Sequence, residues 1–187
     1  IGQKLGIPLI LDNTAAPYIC KPFQFGASII IHSTTKYVGG QGSAIGGIIV
    51  DSGKFNWAKD KDRQPALNKP DPSYHGMVWT DFAEAVKMPI AYIVRARFVG
   101  LRDLGACLPP QSAFQIIQGL ETVSLRMVKH CENAAKVAEF LSSHNKVERV
   151  IYAGLDEDEA GRRASKYLNG GFGALCGFEL IRGKASG

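Results

Sequence analysis

Three short apolar segments, each followed by polar residues, lie in the first third of the chain: residues 7–11, 27–32 and 46–50. Segments of this length that are apolar on both faces are typical of buried parallel strands. Asp12 follows the first segment, Ser33 the second and Asp51 the third. The pattern predicts an α/β fold with a mostly parallel sheet and flanking helices, whose chemistry lies at the carboxyl edge of the sheet.

Helical periodicity follows further along the chain. Residues 91–106 are predicted to be helical, and Pro109 and Pro110 begin a single long helix that runs to about Ser143. Residues 1–6 are predicted to end a helix at a glycine, and residues 147–152 and 173–181 to form strands. Apolar residues of the long helix recur at steps of three and four, which predicts a stripe buried in the core: Ala113, Ile117, Leu120, Met127, Cys131, Ala134, Ala138 and Leu141.

The remaining long segment, residues 52–80, is polar and aromatic and has no periodicity. We predict a long surface loop, a feature that is more often functional than idle. Together the elements predict that residues 1–110 form part of a large domain, residues 111–144 the long interdomain helix, and residues 145–187 the beginning of a small α+β C-terminal domain. Because the chain starts with Ile1 rather than Met, we expect an internal piece of a longer protein.

Composition and charge argue against a nucleic-acid partner and against a membrane span. The chain has 187 residues, 45% of them hydrophobic, and a net charge of +5, which is an ordinary globular composition. Its basic residues are interspersed with acids, as in residues 59–63, and this argues against a nucleic-acid partner. No window of about 18 apolar residues exists, so no membrane span is expected. Cysteines at 20, 107, 131 and 176 form no CxxC pair, which favours reduced thiols in a cytoplasm over a zinc site or a disulfide framework.

Several nucleotide and nucleophile motifs are incomplete. The glycines between 40 and 54 fit neither a Walker loop nor a dinucleotide fingerprint. Ser33 and Lys36 match the SxxK spacing of serine acyl-enzymes, but the partner motifs SDN and KTG are missing. An SxxK serine hydrolase therefore stays an alternative with one supporting motif, and a catalytically inactive scaffold stays another.

Four polar side chains remain as candidates for a functional site. Asp12 lies at the end of one predicted strand, and Ser33, Thr35 and Lys36 lie at the end of the next. Neighbouring parallel strands would bring a buried carboxylate, two hydroxyls and an amine to one crevice. Pyridoxal phosphate needs this set, because its aldehyde bonds a lysine, its ring nitrogen needs a carboxylate to stay protonated, and its phosphate needs hydroxyl and backbone donors. The same residues have simpler explanations, since a lone lysine is usually a surface charge and Asp12 could cap a helix.

The sequence around these residues resembles a known family. Residues 32–42, His-Ser-Thr-Thr-Lys-Tyr-Val-Gly-Gly-Gln-Gly, resemble the pyridoxal-lysine signature of the Cys/Met-metabolism enzymes. Leu11-Asp12-Asn13-Thr14 resembles the family's strand with the aspartate that pairs with the pyridinium, and residues 101–105, 118–122 and 125–131 are similar to its long interdomain helix. The resemblance covers nearly the whole chain. It implies the aminotransferase-like fold, fold type I, with residues 1–110 as part of the pyridoxal phosphate domain.

The resemblance also implies roles. Lys36 would bond the cofactor and shuttle protons, Asp12 would pair with the ring nitrogen, and Ser33 and Thr35 would bind the phosphate. We expect burial of Lys36 to favour its neutral form. Residues 72–76, Pro-Ser-Tyr-His-Gly, resemble the O-acetylhomoserine sulfhydrylase branch. That branch implies a transferase of methionine biosynthesis, which replaces the acetyl group of O-acetylhomoserine with sulfide and releases homocysteine and acetate.

Sibling enzymes share every site residue named above, so methionine γ-lyase, O-succinylhomoserine sulfhydrylase and cystathionine γ-synthase remain alternatives. The resemblance further implies a homo-oligomer, typically a tetramer. The resemblance implies that other cofactor- and substrate-binding residues of the family lie outside these 187 residues, and the surroundings of Arg182 do not resemble those of the family's carboxylate-binding arginine. We therefore expect the chain alone to turn over little or no substrate.

Overall fold

In the computed structural model, which describes residues 2–155 and 158–183, three strands come first, five α-helices follow, and a strand, a helix and a strand come last. The strands are β1 Ile10–Asp12, β2 Ile29–Ser33, β3 Gly47–Asp51, β4 Val147–Ile151 and β5 Gly177–Leu180. The α-helices are α1 Pro65–Asn68, α2 Trp79–Ala85, α3 Ala91–Arg95, α4 Pro110–Glu121, α5 Val123–Ser142 and α6 Glu159–Tyr167. Short 3₁₀ turns span Gly2–Leu5, Pro22–Phe25 and Pro72–Tyr74, and wider π-type turns span Thr34–Val38 and Ala96–Asp103. Residue 1 of the predicted first helix, and residues 156–157 and 184–187 of the predicted C-terminal domain, lie outside the described residues.

The first three strands form one sheet in the order β1-β2-β3. Strands β1 and β2 are parallel, as predicted, with Asp12 opposite Ile31. The prediction of a third parallel strand is wrong. The amide of Thr34 donates to the carbonyl of Gly46 at 2.9 Å and that of Ser52 to Ser28 at 2.9 Å, so β3 runs antiparallel to β2. Parallel neighbours are usually joined by an α-helix, whereas residues 34–46 contain one short helical turn.

Burial of the strands is uneven. Ile29 is fully buried, as predicted, but Ile10 is 50% exposed and Ile48 is 49% exposed. The expectation of strands buried on both faces therefore holds for β2 and is wrong for β1 and β3. The difference follows from the order of the sheet, since β2 is the middle strand and the other two flank it.

The chain folds into two compact units, each drawn from several stretches. Unit 1 contains Ile1–Asp12, Phe23–Ile31 and Ile49–Pro109, and unit 2 contains Asn13–Pro22, His32–Ile48 and Pro110–Gly187. These units interleave along the chain. The domain boundaries at residues 110 and 144 stay a prediction.

The segment 52–80, predicted as a surface loop, builds the core of unit 1. Trp57, Leu67 and Trp79 are buried in one cluster with Ile29 of β2. The indole N–H of Trp79 donates to Asp71 Oδ2 at 3.1 Å. Most residues of the segment lie at the surface, as predicted. The prediction of a loop without helices or core residues was wrong, because helices as short as α1 and isolated aromatic anchors leave no periodic signal in a sequence.

The predicted long helix is two helices in unit 2. Thr122, between α4 and α5, has φ −106° and ψ 4°, and its amide and its hydroxyl both donate to the carbonyl of Gly119 at 3.3 Å. A side chain that inserts into the helical hydrogen-bond ladder is a regular cause of a kink. Beyond the kink the predicted stripe is confirmed, because Met127, Cys131, Ala134 and Ala138 are buried. Before it the prediction is wrong, because Ile117 and Leu120 are exposed while Ile116 and Gly119 are buried.

The last part of unit 2 pairs β4 with β5 antiparallel, with an irregularity between Val147 and Arg149. Both strands were predicted. Helix α6 between them was not, although Asp158 caps it by accepting hydrogen bonds from the amides of Ala160 and Gly161, the usual role of an aspartate at this position. All four cysteines are free thiols. Among the described residues, helices long and apolar enough to cross a bilayer are absent.

Candidate active site

Lys36 lies in unit 2, in a turn that directly follows β2. The turn begins at Thr34, and we call residues 34–40 the lysine turn. At Lys36 the backbone leaves helical geometry, with φ −90° and ψ −125°, and its carbonyl accepts a hydrogen bond from the amide of Gly40 at 2.8 Å. The Lys36 residue is exposed, so the prediction that it is buried is wrong. The short turn leaves the amine outside the core and accessible to a small molecule.

Gly46 closes the base of the lysine turn. Its carbonyl accepts from the amides of Thr34 and Thr35 at 2.9 and 3.3 Å. The Thr35 hydroxyl bonds to the same residue twice, as acceptor from its amide at 3.0 Å and as donor to its carbonyl at 3.3 Å. One step earlier in the chain, the amide of Ser33 donates to Thr14 Oγ1 at 2.8 Å. These bonds fix both ends of the segment between Ser33 and Gly46.

The three hydroxyls near Lys36 differ in what they can bind. Ser33 is half-buried, and its hydroxyl has no hydrogen-bond partner among the residues that the structure describes. Thr34 is 4% exposed, and its hydroxyl is buried without a partner in the same part of the chain. Thr35 has an intermediate exposure and shares its hydroxyl with Gly46. Of the three hydroxyls, that of Ser33 is the best donor for a phosphate, because it is neither fully buried nor bonded to another described residue.

Asp12 belongs to unit 1, where it is the last residue of β1 and pairs with Ile31 of β2. The prediction of a buried anion is wrong, because Asp12 is exposed. Its place at the end of a flanking strand explains the exposure. The structure thus brings Ser33, Thr35 and Lys36 together in one short segment of unit 2, whereas Asp12 belongs to unit 1.

The surroundings of the Lys36 amine discriminate between an SxxK serine hydrolase and an enzyme that bonds an aldehyde cofactor. An SxxK enzyme needs the lysine amine hydrogen-bonded to the serine hydroxyl, and in residues 2–155 and 158–183 no such bond is present. An aldehyde cofactor needs an accessible amine instead, which Lys36 supplies. Groups of three or more metal-binding side chains are also absent from the described residues.

Arg126 of α5 holds the far side of the lysine turn, and sequence reasoning missed it. Its Nη1 donates to the carbonyl of Tyr37 at 2.6 Å, and its Nη2 to the carbonyls of Val38 and Gly119 at 3.0 and 2.7 Å. Its Nε donates to the hydroxyl of Thr122 at 3.1 Å. The distance along the sequence, 88 and 89 residues from Val38 and Tyr37, hid this contact from any local pattern.

Glycines allow the two segments to touch. A Cβ on Gly119 would lie 2.1 Å from the carbonyl oxygen of Gly39, and a Cβ on Gly40 would lie 2.4 Å from Arg126 Nη1. Gly40 also has φ +75°, a conformation that glycine adopts at no steric cost. A glycine inside a predicted helix, such as Gly119, is the sequence signal that could have indicated the close approach.

Comparison with known proteins adds to this geometry. The family model of Cys/Met metabolism PLP-dependent enzymes matches residues 1–186. The chain belongs to this family. The resemblance of residues 32–42 to the family signature is therefore confirmed, and so is the dependence of the family on pyridoxal phosphate.

Named relatives of the Cys/Met metabolism family are similar along almost the whole chain. The O-acetyl-L-homoserine sulfhydrylase of Leptospira meyeri is 47% identical over 98% of this chain and 42% of that protein. The homocysteine synthase of Schizosaccharomyces pombe is 44% identical over 95% of this chain and 41% of that protein. The chain thus spans about two fifths of the length of these curated relatives.

Solved structures of the family give the same fold. A crystal structure from Campylobacter jejuni, described as a candidate O-acetylhomoserine (thiol)-lyase with N'-pyridoxyl-lysine-5'-monophosphate, is 41% identical with a TM-score of 0.87 over 96% of this chain and 44% of that one. The cystathionine γ-synthase of Xanthomonas oryzae is 29% identical with a TM-score of 0.68 over 99% of this chain and 38% of that one. The α/β class and the fold type I architecture are confirmed.

Proposed function

We propose that Lys36 bonds pyridoxal phosphate, that Asp12 pairs with the ring nitrogen, and that Ser33 and Thr35 contribute to the phosphate site. When bound, the cofactor supplies an electron sink that makes the α proton of an amino acid acidic. The observation that carries the proposal is the exposed amine of Lys36 in a turn whose backbone is held in place. An amine must be accessible to bond an aldehyde, and it must be fixed to deliver a proton to one atom.

Asp12 would stabilise the positive charge of the protonated ring nitrogen, because a neighbouring carboxylate favours the charged form of a base. Support for this role comes from the parallel pairing of β1 with β2, in which Asp12 and Ser33 each end their strand. Carboxyl ends of parallel neighbours lie at one edge of a sheet, where α/β proteins bind their ligands.

Ser33 and Thr35 would bind the phosphate in different ways. The Ser33 hydroxyl can donate without giving up a bond, since it has no partner among the described residues. The Thr35 hydroxyl has a single proton, which goes to the carbonyl of Gly46 over a long 3.3 Å bond. Turning this proton toward a phosphate would leave the 3.0 Å bond from the Gly46 amide in place.

We further propose the reaction of the sulfhydrylase branch, in which sulfide replaces the acetyl group of O-acetyl-L-homoserine. Lys36 Nζ would carry one extracted proton at a time: it would take the proton from the α carbon and release it before it takes a proton from the β carbon. Acetate would leave with the electron pair of its bond to the γ carbon, and the sulfur of hydrosulfide would form a new bond to that carbon. Lys36 would then return one proton to the β carbon and one to the α carbon. The products are L-homocysteine and acetate. The sulfhydrylase and homocysteine synthase names of relatives at 47% and 44% identity support this proposal.

A homotetramer and a cytoplasmic location complete the proposal for the native protein. The resemblance to the family supports the tetramer. The unpaired thiols of the four cysteines, which are typical of a reducing compartment, support the location.

To test the proposed reaction, the protein at its native length is assayed with different acyl esters of homoserine and with different sulfur donors. We expect homocysteine from O-acetylhomoserine and sulfide, at rates above those with O-succinylhomoserine or with cysteine as the donor. Lys36→Ala should abolish product formation, whereas Lys129→Ala, which changes an exposed lysine of α5, should not. A preference for the succinyl ester, or cystathionine formed from cysteine, would assign the protein to a sibling activity instead.

A further inference from the structure

Hydrogen bonds of Gly46 with Thr34 and Thr35 hold the start of the lysine turn, whereas the end of the turn has few hydrogen bonds of its own. Within the turn, the amide of Gly39 donates to Thr34 and that of Gly40 to Lys36, at 2.9 and 2.8 Å. Helical torsion angles are interrupted at Lys36 itself. The two glycines that close the turn have no side chains to pack, and glycine carries the largest conformational freedom of any residue.

Arg126 supplies the missing constraint. Its three nitrogens donate to three backbone carbonyls and one hydroxyl, all between 2.6 and 3.1 Å. Two of the carbonyls, those of Tyr37 and Val38, belong to the residues that directly follow Lys36 in the lysine turn. Carbonyls at the end of a helical turn lack internal partners, and a cation there is favourable.

We propose that Arg126 is a positioning residue for Lys36, whose guanidinium group fixes the backbone from which the reactive amine projects. This inference rests on the proposed function, because it concerns the same lysine. Arg126 acts through the carbonyls of Tyr37 and Val38, so we assign it no contact with substrate or cofactor.

The geometry requires arginine rather than any cation. A guanidinium is a rigid planar fork with five donors, whereas a lysine presents three donors on one atom. The acceptors of Arg126 lie on both α4 and the lysine turn, with Gly119 on the first and Tyr37 and Val38 on the second. A single ammonium group cannot reach this set in the same geometry. Arg126→Lys should therefore behave like a loss of the side chain.

Native hydrogen exchange and cofactor trapping test the inference together. Arg126→Ala should speed exchange of the Gly39 and Gly40 amides by about tenfold or more, because charged hydrogen bonds that hold the turn closed are lost. Amides within α5, such as that of Ala134, should keep their rates. Trapping of pyridoxal phosphate on Lys36 with borohydride should slow in the same variant, and millimolar guanidinium ion should restore it. Arg163→Ala, on an arginine whose side chain is 64% exposed in α6, is the matched control and should change none of these.

The outcomes separate this inference from the proposed function. If the wild-type protein forms no adduct on Lys36, the proposed function is overturned and the positioning role falls with it. If the wild type traps the cofactor and Arg126→Ala does so at the same rate without guanidinium, only the positioning role is overturned, even where exchange at Gly39 and Gly40 speeds up. Should Arg126→Ala fail to fold, as judged by circular dichroism, Thr122→Val removes the acceptor of Arg126 Nε while the cation stays. We expect it to slow trapping by a smaller factor, and an unchanged rate would contradict the inference.

Discussion

At the scale of single residues, Gly119 has no room for a side chain. A Cβ there would lie 2.1, 2.7 and 2.8 Å from the carbonyl oxygen, carbonyl carbon and Cα of Gly39, all backbone atoms that cannot rotate away. The contact joins α4 to the turn that carries Lys36. Its tightness predicts that an added methyl group separates the two segments.

Gly119→Ala should lower the free energy of unfolding by about 1–3 kcal/mol, the usual cost of overpacking a tight site. Gly100→Ala is the control, because a Cβ at Gly100 meets no atom within 4 Å, and it should stay within about 0.5 kcal/mol of the wild type. Urea unfolding measures both variants. Equal stability of the two would contradict the close approach of α4 to the lysine turn.

Asp51, at the end of β3, makes the free energy of unfolding depend on pH. Burial raises the pKa of its carboxyl, while the hydrogen bond from the amide of Gly53 acts in the opposite direction. A carboxyl with a raised pKa in the folded state stabilises the fold most below its ordinary pKa, and it loses that contribution as pH rises through the folded-state value. Its Oδ2 atom, buried without a hydrogen-bond partner among the described residues, explains why the charge is disfavoured.

Asp51→Asn should remove this part of the pH dependence, because the amide carries no charge while its Oδ1 can still accept from Gly53. Denaturant unfolding of the wild type and the variant across the acid range measures it. The difference in stability between them should grow in favour of the variant as pH rises. Parallel curves at every pH would show that Asp51 does not titrate differently in the folded state.

At the scale of elements, the kink at Thr122 decides which face of the long helical segment is buried. Local periodicity predicted Met127, Cys131, Ala134 and Ala138 as core residues, and the structure agrees. The same periodicity predicted the wrong face of α4. The bonds from Thr122 and Arg126 to the carbonyl of Gly119 interrupt the helix, so the buried face of α4 is not continuous with that of α5. A helical repeat is readable from a sequence, whereas the long-range contact that interrupts it is not.

Met127 and Leu125 make a matched pair on α5. Met127 is 0% exposed and packs with Ile19 and Cys131, while Leu125 is 73% exposed. Met127→Ala should cost about 2–5 kcal/mol of unfolding free energy, the range for large-to-small changes in a core. Leu125→Ala should stay within about 0.5 kcal/mol. Comparable losses in both variants would contradict the assigned face of α5.

At the scale of the whole molecule, sequence and structure agree on the class of the fold and on the segment that carries Lys36. The signature at residues 32–42 was visible because its residues are contiguous. Exposure of Asp12 and Lys36, the antiparallel direction of β3 and the core built by residues 52–80 were not visible, since each depends on contacts between distant parts of the chain. Arg126 was missed for the same reason.

The proposed function requires a covalent bond between the amine of Lys36 and the aldehyde of pyridoxal phosphate. The most direct measurement loads the native protein with the cofactor, reduces it with borohydride and maps the adduct by peptide mass spectrometry. We predict a pyridoxyl group on Lys36, its loss in Lys36→Ala, and its retention in Lys129→Ala. An adduct on another lysine, or an equal yield in Lys36→Ala, would contradict the assignment of Lys36 as the cofactor-bonding residue.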